Sequence, residues 1–323
     1  MSNKRDEELM AQFAQQEESN NEISNRDVIK PIVNRKTSNL DIHNEAEQLR
    51  KEGKLDYLGW QPLDVKTLPT RGMFYPDDTK IFVRAATGGE IKHWSTMNVE
   101  DIVNVDDTLN YIIEKCCKIS IPGNDYIGGS WKDLVDVDRL YILLAIRDFT
   151  WPAGDNELVV PISETHQVTV LKDNINFVDF PEEIMKYYNE EEKCFKLKFK
   201  NGRTINMYLT SLGVSNWLKS YVQQKQQARE QFDKDFLLFA PLLIKNHRKL
   251  TIRAYENLVE ESNKWSIGEW SVISHFRDIL MKQTSEPEMI YEDENGVEQL
   301  VPLTFRGGIK AIFLVSDSLS FLD

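Results

Sequence analysis

One stretch decides how the chain is read: Leu68-Pro69-Thr70-Arg71-Gly72-Met73-Phe74-Tyr75-Pro76. Proline fixes φ and glycine opens the left-handed region, so Pro69 and Gly72 together re-aim the chain within a few residues. Behind the bend, Met73, Phe74 and Tyr75 form an apolar cluster that has to be packed. The sequence Lys80-Ile81-Phe82-Val83-Arg84 then alternates as a strand does. Leu68, Pro69, Arg71, Gly72, Tyr75 and Pro76 thus read as a structural lead-in to a domain. No catalytic motif is built on them.

Outward from this start the chain divides by composition. Residues 1–55 carry 20 charged side chains and a single aromatic, Phe13, of the 33 aromatics in the chain. Such a segment cannot bury enough surface to offset its ordering entropy, so it is expected to be a flexible arm. Residues 7–17 and 44–54 have helix-forming composition, which suits short helices formed on a partner; a solvated tail without a role is the alternative. The remainder is rich enough in apolar residues for a sizeable core. A chain of 323 residues buries roughly 75% of its unfolded surface. The net charge of −13 argues against wrapping nucleic acid, which draws on a surplus of Lys and Arg. The N-terminus lacks the apolar stretch of a secretion signal, and no apolar run approaches the roughly 20 residues of a membrane span. The three cysteines, Cys116, Cys117 and Cys194, contain no Cys-x-x-Cys pair and read as thiols in a reducing compartment.

The fold class expected is α+β: an N-terminal extended arm, a core of mixed helices and β-hairpins, and a helical C-terminal segment closing with a β-hairpin. Its divisions fall at 1–55 (arm), 56–155 (α+β core), 156–212 (hairpin region) and 213–323 (helical segment). Within the core, 79–85 is a strand. Asn98 is placed to cap a helix, with Asp101 at the capping-box position. Ile102, Val105, Leu109, Ile112, Ile113 and Cys116 repeat at spacings of three and four, which predicts one buried face. Residues 133–149 make a second helix, apolar nearly all round and so central to its domain. Strands are expected at 158–162 and 167–171. At 194–209, Phe195, Leu197 and Phe199 alternate with lysines, Asn201-Gly202 follows, and Ile205, Met207 and Leu209 alternate beyond. A two-residue turn would put the two apolar sets on opposite faces. A three-residue loop, Lys200-Asn201-Gly202, pairs Leu197 with Ile205 and keeps the sets together. The longer loop is favoured, leaving Lys196 and Lys198 on the wet side. Helices are expected over 215–239, broken at Pro241 and the basic run 245–249, resuming over 250–259. Ser266 and Glu269 form a capping box for a last helix through Leu280. A second hairpin is signalled over 289–302 by Asn295-Gly296.

No reactive centre is assembled by these patterns, and no catalytic, cofactor-binding or metal-binding residue is assigned. His43, His93, His166, His247 and His275 are scattered and lack ligand spacing, although Glu164 and His166 share one strand face. Lys115 and Lys118 flank Cys116-Cys117 and could lower a thiolate pKa, but a packed thiol is the simpler reading. Residues 123–130 have the spacing of a phosphate loop but put Gly129 where its lysine belongs. Ser274 and His275 are helix neighbours that face apart. The basic run Lys245-Asn246-His247-Arg248-Lys249 is a polar corner or a contact for an acidic partner or nucleic acid.

The order of elements carries more than any single one. The pattern Leu-Pro-(Thr/Ser)-(Arg/Lys)-Gly-x-x-Tyr-Pro at 68–76 precedes a strand, the helix opening Gly89-Glu90, a helix over 98–119, and a second helix ending at Arg147-Asp148-Phe149. This resembles the baseplate hub subunit or hub-assembly family of T-even-like contractile-tailed bacteriophages. The likeness covers about residues 58–218, with a looser echo in the terminal hairpin and 305–315. It implies a non-enzymatic role in building a tail baseplate hub, with other tail and baseplate proteins as partners. It also implies no small-molecule substrate or cofactor, and a place in the host cytoplasm during assembly and then in the virion tail. Members of the family often carry a Cys-x-x-Cys pair after the second helix, whereas 151–171 has no cysteine here. The alternatives are a tail-assembly chaperone absent from the finished particle and an enzyme whose site the sequence does not reveal.

Overall fold

The computed structural model describes residues 59–122, 129–151, 158–163, 166–170, 174–284, 287–293, 295–305 and 307–313. The arm expected at 1–55, most of the 123–130 loop and the Glu164–His166 pairing lie outside the described residues. Within them the chain is α+β, with short antiparallel sheets set among helices.

Strands β1 (Gln61–Leu63), β2 (Lys80–Val83) and β3 (Cys117–Ser120) form one antiparallel sheet with β2 in the middle. The lead-in is therefore a connection between two paired strands. Helix α1 (Gly88–Ser95) opens on a capping box between Thr87 and Glu90.

Helix α2 (Ile102–Cys116) starts later than the sequence predicts. Asp101 is its cap, accepting the Val103 and Asn104 backbone N–H groups at 3.0 and 3.3 Å. Asn98 instead organises the preceding turn, where Asn104 Oδ1 accepts its backbone N–H at 2.6 Å. The predicted core face holds from Leu109 to Cys116, but its first member, Ile102, is 83% exposed. The helix also stops short of residue 119. Cys117 and Ile119 are buried while Lys118 and Ser120 are exposed, the period of a strand, and β3 forms there.

The second helix, α3 (Arg139–Thr150), is likewise shorter than the 133–149 predicted. Residues 134–136 are drawn off by an antiparallel bridge between Val135 and Ser211. The Asp136 N–H donates to the Thr210 carbonyl at 2.9 Å, and the Leu212 N–H to the Leu134 carbonyl at 2.8 Å. From Tyr141 to Arg147 every residue of α3 is buried, as an all-round apolar helix should be.

Strands β4 (Val159–Pro161) and β5 (Gln167–Thr169) pair where expected. After a short helix, α4 (Glu182–Met185), comes the sheet β6 (Tyr188–Asn189), β7 (Cys194–Lys198) and β8 (Thr204–Met207). Leu197 faces Ile205, the Phe199 N–H bonds the Arg203 carbonyl at 2.9 Å, and Gly202 has φ 85°. This is the three-residue loop that face-matching requires. The terminal hairpin, β9 (Glu288–Glu292) and β10 (Glu298–Pro302), repeats it. There Asp293 bonds Val297 at 3.0 Å and Gly296 has φ 78°.

The helical segment also departs from its predicted bounds. Helix α5 (Leu212–Ala228) begins at the Ser211 cap and ends where Arg229 turns left-handed, φ 55°. Pro241 does not break a helix but sits in the first turn of α6 (Ala240–Leu243), where no backbone N–H is needed. Helices α7 (Ile252–Ser262) and α8 (Ile267–Thr284) follow, the latter on the predicted Ser266–Glu269 capping box.

One buried cluster runs from Leu68 to Phe313 and draws side chains from all three segments after the arm. A second gathers Val214, Leu218, Tyr221, Phe236, Ala240, Ile244 and Tyr255 within the helical segment. Three capping-box carboxylates double as anchors: Glu90, Glu269, and Asp133, whose box with Ser130 opens a 3-10 turn over Trp131–Asp133. Arg84 reaches Glu90 at 2.6 Å, Arg248 reaches Asp133 at 2.6 Å, and Arg203 reaches Glu269 at 2.7 Å. Each box thereby ties its helix start to another part of the chain. No helix among the described residues is long and apolar enough to cross a membrane.

Candidate functional site

The lead-in packs through the fold with nearly all of its residues committed inward. Leu68, Pro69 and Thr70 are buried, and Tyr75 is buried with them. Pro69 offers its carbonyl to the Val178 N–H at 2.9 Å. Arg71 and Gly72 both take left-handed backbone, φ 52° and 76°. At Gly72 a Cβ would stand 3.2 Å from Val65 Cγ2, so side-chain space is short there as well. Arg71 is exposed, with its guanidinium 4.7 Å from the Phe177 ring centre. Phe74 packs on Phe180, Tyr188 and Phe195 with centroids 5.7–5.9 Å apart. The Met73 carbonyl accepts the Tyr188 hydroxyl. The Pro76 carbonyl accepts the Thr79 hydroxyl at 2.7 Å.

The residue that organises the lead-in is one the sequence reading missed. Asp138, just before α3, is fully buried. Its Oδ1 accepts the Thr70 N–H at 3.0 Å, and its Oδ2 accepts the Thr70 hydroxyl at 2.7 Å and the Tyr75 hydroxyl at 2.9 Å. The Tyr75 oxygen in turn accepts the Val135 N–H at 3.1 Å. No lysine or arginine among the described residues pairs with it. Burial therefore pushes the carboxyl up to about 6, against the pull of the Thr70 and Tyr75 hydrogen bonds. Burial, and then the Asp138 charge, hold the Tyr75 phenol well above its ordinary value. An aspartate directly before a helix that is apolar nearly all round was the available signal, since the burial of such a helix draws its first turn toward the core.

The other candidates resolve into packing. Burial pushes the Cys116 thiol up to about 12, and Cys117 rises for the same reason, so the flanking lysines do not make a reactive thiolate. His93 lies against Tyr111, with ring centres 4.0 Å apart and planes tilted by 43°. His247 is held between Asp133, 3.7 Å from its Nδ1, and Gly213, where a Cβ would stand 2.4 Å from the ring. Burial lowers the His247 pKa, with Asp133 opposing. Within the basic run, Arg248 is thus spent on Asp133. No group of His, Cys, Asp and Glu among the described residues has the geometry of a metal site.

A cleft of about 930 Å³ opens beside α3, α6 and α8, with Leu140, Leu143, Val178, Leu242 and Met281 in its wall. Polar groups there pair with one another. The Ser215 hydroxyl donates to Asp136 at 3.1 Å, Arg139 Nε meets Asp136 at 3.3 Å, and Asn176 donates to Glu288 at 3.4 Å. A cleft of about 630 Å³ follows the outer side of the lead-in, and one of about 230 Å³ separates Tyr208 from His247.

Large apolar side chains stand out in water elsewhere. Ile267 is 90% exposed, Ile102 83% and Val99 53%. No family model matches the chain, and no curated protein or solved structure does either.

Proposed function

We propose that the chain works by binding other proteins, as a structural component or assembly factor of a contractile phage-tail baseplate hub. The observation that carries the binding role is the contrast between its polar and apolar residues. Its buried carboxylates are engaged in hydrogen bonds and ion pairs and its thiols in packing, while Ile102 and Ile267 are held in solvent. Single exposed apolar residues are ordinary, whereas several gathered in one place, as Val99, Ile102 and Val103 are, suit a partner surface. The phage-tail part of the proposal rests on the 68–76 pattern and the element order behind it. Its partners are then other tail and baseplate proteins.

Affinity purification from infected cells tests this, with mass spectrometry of the complex and of finished particles. The expected result is tail proteins in a fixed ratio to the chain in both samples. A chain that elutes alone overturns the binding role, and one bound to unrelated host proteins overturns the tail. Presence in assembly intermediates with absence from finished particles would make it a tail-assembly chaperone.

A further inference from the structure

Residues 98–103, the end of the α1–α2 connection and the first two residues of α2, are all exposed. They form a ledge on which Val99, Ile102 and Val103 are 53%, 83% and 39% accessible. Ile102 belongs to the apolar repeat of α2 by spacing, yet the Asp101 cap starts the helix with this side chain turned out. A large apolar residue so placed costs solubility and gives the core nothing.

The surroundings are strongly acidic. Glu100 has no side-chain partner among the described residues. Asp101 caps α2, and Lys219, which bonds the Val103 carbonyl at 3.3 Å, is shared between Asp106 at 3.2 Å and Asp107 at 2.6 Å. Arg139 lies between Asp106 and Asp136. Around the ledge, among the described residues, the ion pairs of Asp106, Asp107 and Asp136 are made with Lys219 and Arg139, and Glu100 and Asp101 add two further carboxylates. A second copy of this chain would bring the same carboxylates against these, and the two chains each carry a charge of −13.

We propose that this ledge docks a different protein, one that presents a large apolar side chain beside lysine or arginine. Val99 and Ile102 take the apolar group, and Glu100 and Asp107 meet the cation. Burial of the two apolar side chains supplies the affinity, while the carboxylates select the partner and speed the encounter. The assignment rests on the binding role proposed above and names where and how that binding occurs.

The test uses the full chain in the cells that make it. A photoreactive benzoylphenylalanine replaces Ile102 in one sample and Ile267 in another, and the adducts are identified by peptide mass spectrometry. Adducts at 102 are expected on one other protein, in a segment with an apolar residue next to Lys or Arg. Adding Glu100→Lys to the same chain should cut their yield about tenfold without changing its thermal unfolding. Adducts to a second copy of this chain, adducts to an acidic segment, or a yield indifferent to Glu100→Lys would each overturn the proposal. Adducts at 267 alone would also overturn it, while leaving the chain a binding protein. Adducts at neither position would count against the binding role itself.

Discussion

The lead-in and the ledge are both short connections with apolar residues beside acids, yet they face opposite ways. In the lead-in, Tyr75 and Thr70 follow Asp138 into the core. On the ledge, Asp101 turns Ile102 into water. The difference lies in what the carboxylate binds. Asp138 accepts from groups more than sixty residues away, so satisfying it requires the long-range fold. Asp101 accepts from N–H groups two and three residues ahead, which any helix start provides. The long-range acid builds the core, and the local one leaves its neighbours free for another use.

The largest effect should come from removing the long-range acid. Asp138→Ala leaves the Thr70 N–H and two hydroxyls buried without their acceptor, at a cost of about 3 kcal/mol. Urea unfolding would measure it. A loss too small to resolve would mean that the lead-in is held by apolar packing alone.

pH sharpens the contrast inside the core. An acid whose pKa rises on folding holds its proton more tightly in the folded state. The contribution of Asp138 is thus complete below the ordinary aspartate range and is lost as pH rises through about 6. The change is on the order of 3 kcal/mol. Glu90 behaves in the reverse sense. Burial raises its pKa, but the Arg84 hydrogen bonds, the Thr87 N–H and the Arg84 charge outweigh this and hold it at about 2. Its contribution is present above the ordinary glutamate range and is lost as pH falls toward 2. Asp138→Asn should therefore flatten the stability profile between pH 4 and 6 and leave the acid limb intact. A profile unchanged by the substitution would contradict the assignment.

Breaking the paired acid should cost less than removing the unpaired one. Arg84→Met deletes both guanidinium contacts to Glu90 while keeping much of the apolar stem, at about 2 kcal/mol by calorimetry. A loss matching that of Asp138→Ala would erase the distinction between the two acids.

Local chemistry was legible in the sequence, and long-range chemistry was not. The Leu197–Ile205 register followed from side-chain alternation and one glycine, and the Ser266–Glu269 box from residue types three apart. Both depend on neighbours in the chain. The start of α3 was misplaced because Thr210 and Leu212 pull 134–136 into a bridge, and nothing near residue 135 announces that. The same holds for Asp138, whose partners lie 63 and 68 residues away. For Ile102 the failure was of another kind. Spacing placed it on the core face, and only the position of the cap, three residues later than predicted, showed that the repeat runs past the edge of the core.

The smallest expected effect is also the most direct test. Ile102→Asp should leave the urea midpoint of the isolated chain at or slightly above that of the native sequence, because the side chain it replaces is already in water. A loss of about 2 kcal/mol or more would be the cost of a buried apolar residue. It would show Ile102 to be part of the core and end the division between an inward lead-in and an outward ledge.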